Sequence, residues 1–123
     1  MQRVLIVDDE HLVADTLALV FKKSGYDTQV AYSTNEALRN LQSFNPNLLL
    51  ADITMPGKDG LTLVNEVNQL LPSCRIMVLT GFYSNLKPVR EEASRLRLPL
   101  SIMTKPCQPD DLLREAQNIL AVA

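Results

Sequence analysis

The sequence predicts an α/β fold with a doubly wound, five-stranded parallel sheet, because five short apolar runs alternate with segments of helical periodicity. The runs are mostly continuous rather than alternating with polar residues, which is typical of strands buried on both faces. They are Val4 to Val7, Thr28 to Ala31, Leu48 to Ala51, Ile76 to Leu79 and Leu100 to Met103. Right-handed βα crossovers place helices on both faces of such a sheet. The expected architecture is a three-layer sandwich of the flavodoxin-like (βα)5 type.

Four helices are predicted from apolar residues spaced three or four positions apart. The apolar positions of these four helices are Val13, Leu17, Val20 and Phe21; Ala37, Leu38, Leu41 and Phe44; Leu63, Val64, Val67, Leu70 and Leu71; and Leu112, Leu113, Ala116, Ile119 and Leu120. Ser33 with Glu36 forms a capping box, Gly25 is placed to end the first helix, and Pro109 suits a first helical turn.

A further helix is predicted over 86–98, between the fourth and fifth strands. This segment is basic and has little apolar patterning, so we expect much of it to lie in solvent. Its basic residues are Lys87, Arg90, Arg95 and Arg97.

Composition limits the classes of protein that fit this chain. Its 123 residues, 46% of them hydrophobic, suit one domain spanning 1–123. Twelve Lys and Arg against fourteen Asp and Glu give a net charge of -2, which disfavours direct nucleic-acid binding. We find no apolar run near the roughly 18 residues of a membrane span and no secretory signal, so we expect a cytoplasmic protein without membrane contact. Both cysteines are expected to be reduced.

Polar residues follow the strands at their carboxyl ends. Asp8, Asp9 and Glu10 follow the first strand, and Asp52 follows the third. The fourth strand ends at Thr80 and the fifth at Lys105. In the common strand order 2-1-3-4-5, ligands bind beyond these ends, between the first and third strands. We therefore expect the functional site there.

Carboxylates crowded at one sheet edge repel one another by several kcal/mol, so they need a cation or raised pKa values. Oxygen ligands without His or Cys favour Mg²⁺, or Mn²⁺, over zinc. An alternative is that Asp8, Asp9 and Glu10 only cap the first helix. Asp52 does not fit that alternative, because a turn rather than a helix follows it.

Lys105 and Thr80 add an ammonium and a hydroxyl that can hold the oxygens of a phosphoryl group above Asp52. This set is what phosphoryl transfer to a carboxylate requires, and no general base is needed because the attacking carboxylate is already ionised. We expect the charge of Lys105 to find its proper partner only when the phosphoryl group is present.

At these residues the whole chain resembles the receiver domain of two-component response regulators. The matching motifs are Val7-Asp8-Asp9-Glu10, Asp52-Ile53-Thr54-Met55-Pro56 with Asp59-Gly60, Thr80-Gly81 and Lys105-Pro106. The resemblance implies that Asp52 is the phosphoacceptor and that Asp8 and Asp9 hold Mg²⁺, with the Thr54 carbonyl as a further ligand. It also implies that Thr80 moves toward the phosphoryl group and that Lys105 pairs with it.

The resemblance further implies a switch rather than an enzyme, one that assists its own phosphorylation and dephosphorylation. The donor would be a sensor histidine kinase, a histidine phosphotransfer protein or a small acyl phosphate. The recipient of the signal would be a downstream protein or a fused output domain.

Three features depart from the family pattern. The family usually places an aromatic residue three positions before the lysine, where this chain has Ile102. The segment from Thr80 to Lys105 is a few residues longer than is common, and Phe82 occupies a position that modulates dephosphorylation in the family.

Three other functions stay open on the sequence alone. A phosphohydrolase of the haloacid dehalogenase type also uses an aspartate nucleophile, but its Asp-x-Asp motif is missing, since Glu10 stands two residues after Asp8. A flavodoxin-like nucleotide module would need a phosphate loop, whereas the first strand here ends in acids. A pseudo-receiver that acts only as an adaptor would not need the full set of acidic, Thr and Lys residues.

Overall fold

The computed structural model describes residues 2–53, 60–81, 91, 94, 100–105 and 107–121. It contains five strands: β1 (Arg3–Val7), β2 (Asp27–Ala31), β3 (Leu48–Asp52), β4 (Arg75–Thr80) and β5 (Leu100–Thr104). Its helices are α1 (His11–Lys23), α2 (Thr34–Phe44), α3 (Gly60–Leu70) and the C-terminal α4 (Pro109–Ala121). None of the helices in the described ranges is long and apolar enough to cross a membrane.

The strands form one parallel sheet in the order β2-β1-β3-β4-β5, which confirms the predicted α/β fold and strand order. In this order β1 and β3 are neighbours at the centre, and the chain leaves them toward opposite sides of the sheet. The topological switch point of the sheet therefore lies at the carboxyl ends of β1 and β3, and a ligand-binding cleft is expected there.

The core consists of two apolar clusters, one on each face of the sheet. The cluster on one face joins alternate strand residues to α1 and α4, with Phe21, Leu50 and Leu112 among its members. The cluster on the other face joins the remaining strand residues to α2 and α3, with Leu41, Leu49 and Val67 among its members. Burial of both strand faces explains why the runs in the sequence are continuously apolar.

The predicted start of α2 and end of α1 are present, but the Glu36 side chain of the capping box bonds to a different N–H from the one expected. The Ser33 hydroxyl accepts a hydrogen bond from the Glu36 N–H at 3.1 Å, as in a capping box. The Glu36 carboxylate accepts from the N–H of Tyr32, one residue before the cap, at 3.3 Å. Gly25 follows α1 with a φ of 97°, a backbone conformation that favours glycine, and its N–H donates to the Lys22 carbonyl.

Several predicted features fall outside the described residues. They are Thr54 with the turn that follows it, Pro106, and the helix predicted over 86–98, of which only 91 and 94 are described. Both of those residues are helical and exposed.

The packing predicts a large difference between two leucine truncations. Leu49 on β3 is fully buried, whereas Leu19 on α1 is 59% exposed. We expect Leu49→Ala to lower the free energy of unfolding by about 2–5 kcal/mol, because it leaves a cavity in the core. Leu19→Ala should change it by no more than about 0.5 kcal/mol. Urea denaturation of both variants tests this, and equal losses would contradict the described packing.

Candidate functional site

The strand register brings Asp8, Asp52 and Lys105 to one edge and one face of the sheet. Val7 pairs with Ala51, so Asp8 and Asp52 stand at the same level on the two central strands. Alternate residues of a strand point to the same face, so both aspartates continue the strand positions that pack against α1 and α4. Lys105 follows Met103, which packs against the same cluster.

Three carboxylates meet at this edge. Oxygens of Asp8, Asp9 and Asp52 all lie within 4.8 Å of one another, which is close enough to share one cation. Asp8 is 1% and Asp52 2% exposed, whereas Asp9 faces solvent. A set made only of carboxylate oxygens fits a hard divalent cation such as Mg²⁺. The structure thus groups three of the four predicted metal ligands, and Thr54 lies outside the described residues.

Lys105 bridges the two buried aspartates. Its ammonium lies 2.8 Å from Asp52 Oδ2 and 3.4 Å from Asp8 Oδ2. The expectation that Lys105 finds its charge partner only in the phosphorylated state is therefore wrong. Two buried carboxylates side by side already need a counter-charge, and Lys105 is close enough to provide it.

These contacts shift the pKa values of both partners. Burial raises the pKa of Asp8, and the nearby Asp52 charge adds to the increase, against a hydrogen bond from the Glu10 N–H and the charge of Lys105. Burial acts to lower the pKa of Lys105, but its hydrogen bonds and charge contacts with Asp52 and Asp8 outweigh burial, and the net pKa is raised. Lys105 is thus held in its charged form at neutral pH.

A main-chain hydrogen bond joins the ends of β4 and β5 beside the site. The N–H of Lys105 donates to the Thr80 carbonyl at 2.8 Å, so the two predicted residues are tied together through the backbone. Thr80 is buried and follows Ile76 and Val78, which pack on the α2–α3 face. By strand alternation, Thr80 therefore approaches the sheet edge from the face opposite to Asp52 and Lys105.

The acidic residues after β1 do more than cap α1. Glu10 is the N-cap residue, but its side chain makes no capping hydrogen bond. Asp8 Oδ1 accepts from the Glu10 N–H at 3.0 Å, while its other oxygen faces Lys105. The helix-capping alternative thus accounts for one oxygen of Asp8 and for neither the position of Asp52 nor that of Lys105.

The chain also has one histidine and two cysteines. The His11 ring stacks on Tyr32 with centroids 3.7 Å apart, and the Tyr32 hydroxyl donates to Asp15 at 2.6 Å. Both cysteines are free. Burial raises the pKa of the Cys74 thiol to about 12 and also raises the pKa of Cys107, so neither is an activated nucleophile.

One feature beside the site was missed by the sequence analysis. A cavity of about 580 Å³ lies between α1 and α4, and Glu10 and Lys105 form part of its wall. Leu12, also on the wall, is 80% exposed. A signal was present in the sequence, because Leu12 is an apolar residue that does not belong to the buried face of α1.

The chain matches the family model of the response regulator receiver domain over residues 4–117. This range includes every residue of the site described above.

Solved structures of receiver domains are similar to this chain along most of its length. A CheY-like receiver domain protein of Methanospirillum hungatei is 28% identical, with a TM-score of 0.87, over 98% of this chain and 94% of that one. The chemotaxis protein CheY4 of Vibrio cholerae is 26% identical, with a TM-score of 0.85, over 97% and 98%. The receiver domain of NtrX from Brucella abortus is 26% identical, with a TM-score of 0.85, over 98% and 99%.

The bridging position of Lys105 predicts an effect on stability. Lys105→Met removes the cation from between two buried carboxylates, and we expect it to lower the free energy of unfolding by about 1–3 kcal/mol in the presence of a chelator. Lys22→Met, at an exposed lysine on α1, should have little effect. Chemical denaturation measures both. Unchanged or increased stability of Lys105→Met would show that the ion pairs contribute nothing to the fold.

Proposed function

The chain belongs to the response regulator receiver domain family, and we propose that it accepts a phosphoryl group on Asp52 in a Mg²⁺-dependent reaction and thereby switches its binding to partners. The observation that carries this proposal is the position of Asp52. It is a buried carboxylate with two further carboxylates and an ammonium around it, at the carboxyl ends of the central strands.

The Asp52 carboxylate acts as the nucleophile. It is held by the Lys105 ammonium, and its attack on phosphorus requires no proton transfer. Phosphoryl transfer has a loose transition state, so catalysis depends on positioning and on neutralising the charge of the phosphoryl oxygens. Lys105 then exchanges its contact with Asp52 Oδ2 for one with a phosphoryl oxygen. The site is therefore arranged in advance for the charge that arrives.

The metal belongs to the same proposal. Asp8, Asp9 and Asp52 would hold Mg²⁺, with the Thr54 carbonyl as the further ligand implied by the family resemblance; Mn²⁺ has the same preference for oxygen ligands. When bound, the ion supplies positive charge to the oxygens of the transferred group. Asp8 and Asp9 would orient it beside Asp52 without themselves reacting.

The output is a change in partner binding. In the proposal, Thr80 moves toward the phosphoryl group, and the movement passes through its backbone bond with Lys105 to the end of β5. Ile102, at the position that is usually aromatic, is half-buried and packs against the core cluster on the α2–α3 face. It has no hydroxyl or ring to exchange between rotamers, so the response rests on backbone movement.

The proposed donors are a sensor histidine kinase or a histidine phosphotransfer protein, and the proposed recipient is a downstream protein or a fused output domain. In a structure of NtrX from Brucella abortus, the region similar to this chain makes up 27% of a longer chain, which is compatible with a fused output domain. We also propose that residues 1–123 form a single domain, that this domain does not bind nucleic acid directly, and that the protein acts in the cytoplasm.

Phosphorylation should depend on Asp52 and on a divalent cation. After incubation with acetyl phosphate and Mg²⁺, we expect intact-mass measurement to show one added phosphoryl group, which hydroxylamine removes. Asp52→Asn should abolish the addition because the amide is not an anionic nucleophile. EDTA should abolish it in the unchanged protein.

A matched control is Asp15→Asn, which removes an exposed carboxylate on α1 and should leave phosphorylation intact. A hydroxylamine-labile phosphoryl group on Asp52→Asn would refute the assignment. Release of phosphate from many unrelated esters would instead identify a hydrolase.

Mg²⁺ should stabilise the fold through Asp8 and Asp9. At ten times its dissociation constant, a ligand that binds only the folded state adds about 1.4 kcal/mol. Replacing both residues by Asn removes ligands and mutual repulsion together, so the double variant should be more stable without metal and insensitive to Mg²⁺. Asp27→Asn, at the opposite end of the sheet, should keep the response. Thermal denaturation tests this, and an equal Mg²⁺ shift in the double variant would rule out the site.

A further inference from the structure

Two tyrosines flank β2, and each of them packs its ring against a ring of α1. Tyr26, before the strand, makes an edge-to-face contact with Phe21 near the end of the helix, with ring centroids 5.6 Å apart. Tyr32, after the strand, stacks on His11 in the first turn of the helix, with centroids 3.7 Å apart and ring planes inclined by 22°. His11 follows Asp9 by two residues, so the second pair is close in sequence to the proposed metal site. No step of the proposed function uses it.

Two hydrogen bonds fix the position of Tyr32. Its N–H donates to the Glu36 carboxylate at 3.3 Å, and its hydroxyl donates to Asp15 at 2.6 Å. Asp15 lies four residues after His11, so both partners of the tyrosine are on one face of α1. Tyr32 therefore joins the end of β2 to the start of α1 at two points that are one helical turn apart.

The start of α1 has no side-chain cap. A capping side chain normally accepts a hydrogen bond from one of the first N–H groups and holds the first turn in place. Glu10, the N-cap residue, makes no such bond. The loop before it is anchored at Asp8, whose N–H donates to the Ala31 carbonyl at the end of β2 at 3.1 Å. Three residues later, the stack on Tyr32 ties His11 to the same end of β2.

Asp9 lies between these two anchors. It is the exposed member of the carboxylate cluster. The two buried members are bonded to Lys105, whereas no described residue forms a hydrogen bond or an ion pair with the Asp9 carboxylate. The position of Asp9 relative to the other two therefore depends on the backbone of the loop over 8–11. A loop with several positions, of which one suits the metal, raises the apparent dissociation constant as the population of that position falls.

We propose that Tyr32 is a positioning residue for the metal: its stack on His11 clamps the first turn of α1 to the end of β2, and this clamp holds Asp9 beside the two buried carboxylates. The inference rests on the metal site of the proposed function. It gives the two rings no contact with the metal and no part in the transfer of the phosphoryl group. A stacked ring pair changes an equilibrium by roughly two- to twelvefold, which sets the size of the expected effect.

The test measures metal binding directly, with Mn²⁺ alone as the probe. Free Mn²⁺ gives a sharp electron paramagnetic resonance signal that is lost on binding, so its amplitude during a titration yields the dissociation constant. We expect Tyr32→Ala and His11→Ala each to raise this constant about three- to tenfold. The double variant should raise it no further than the larger single effect, because both changes remove the same clamp.

Conservative variants separate the stack from other roles of the two side chains. His11→Phe keeps a ring but has no nitrogen that could bind a metal, and its dissociation constant should stay within about twofold of that of the unchanged protein. Tyr32→Phe keeps the ring and should have a smaller effect than Tyr32→Ala. Asp15→Asn keeps an oxygen that can accept the Tyr32 hydroxyl, so it should bind Mn²⁺ as the unchanged protein does.

The other ring pair on α1 provides a matched control. Tyr26→Ala removes the contact with Phe21 at the far end of the same strand and helix. It should lower the free energy of unfolding, measured by urea denaturation, and leave the Mn²⁺ dissociation constant unchanged. A loss of metal affinity through general loosening of the fold would affect both tyrosine variants alike.

Phosphorylation by acetyl phosphate should show the same effect as a requirement for more metal. In Tyr32→Ala, the Mg²⁺ concentration that gives the half-maximal rate should rise about three- to tenfold, in step with the Mn²⁺ constant. The rate at saturating Mg²⁺ should stay within about twofold, because the clamp acts on metal affinity and not on the reacting groups.

The outcomes separate this inference from the function on which it rests. Unchanged Mn²⁺ affinity in Tyr32→Ala and His11→Ala would overturn the clamp and leave the metal site in place. An equal loss of affinity in Tyr26→Ala, or a loss in His11→Phe as large as that in His11→Ala, would also overturn the clamp. Mn²⁺ binding that is absent from the unchanged protein, or undiminished when Asp8 and Asp9 are both replaced by Asn, would instead overturn the metal site of the proposed function.

Discussion

The ammonium of Lys105 between the carboxylates of Asp8 and Asp52 is the interaction on which the site depends. Two buried carboxylates at the ends of neighbouring strands cannot both stay ionised without a counter-charge. Lys105 supplies it at 2.8 Å and 3.4 Å, and the charge contacts outweigh the burial that would otherwise lower its pKa. The carboxylate at position 52 can thus stay anionic although it is buried, and the proposed attack on phosphorus requires the anionic form.

The parallel sheet provides this arrangement because its strands run in one direction and alternate their side chains between two faces. Asp8, Asp52 and Lys105 belong to the α1–α4 face, whereas Thr80 belongs to the α2–α3 face. In the proposed function, the first three residues bind and react with the phosphoryl group, and Thr80 responds to it from the other side. The backbone bond from Lys105 to Thr80 connects the two roles. In the same proposal, a change of charge at Asp52 would be transmitted through residues that are already joined.

The sequence was sufficient to predict the strand order and the grouping of the acids, because buried parallel strands leave a clear pattern and their carboxyl ends meet at one edge. It did not predict the partners of Lys105. That error came from treating the lysine as a phosphate ligand alone, whereas strand alternation already placed it on the face of both aspartates. The cavity between α1 and α4 was missed for another reason: Leu12, an apolar residue outside the buried face of α1, indicates an exposed apolar position but not a cavity, because a cavity depends on how two helices pack on the sheet. Thr54 and the helix predicted over 86–98 lie outside the described residues, so those predictions stay untested.

Chemical mapping of the acceptor position tests the central claim most directly. Borohydride reduces an aspartyl phosphate to homoserine, which marks the modified residue permanently and can be located by peptide mass spectrometry. After reaction with acetyl phosphate and Mg²⁺, the account predicts homoserine at position 52, with the other aspartates unchanged. Homoserine at position 8 or 9 instead, or none at any aspartate of a protein that has gained a phosphoryl group, would contradict it.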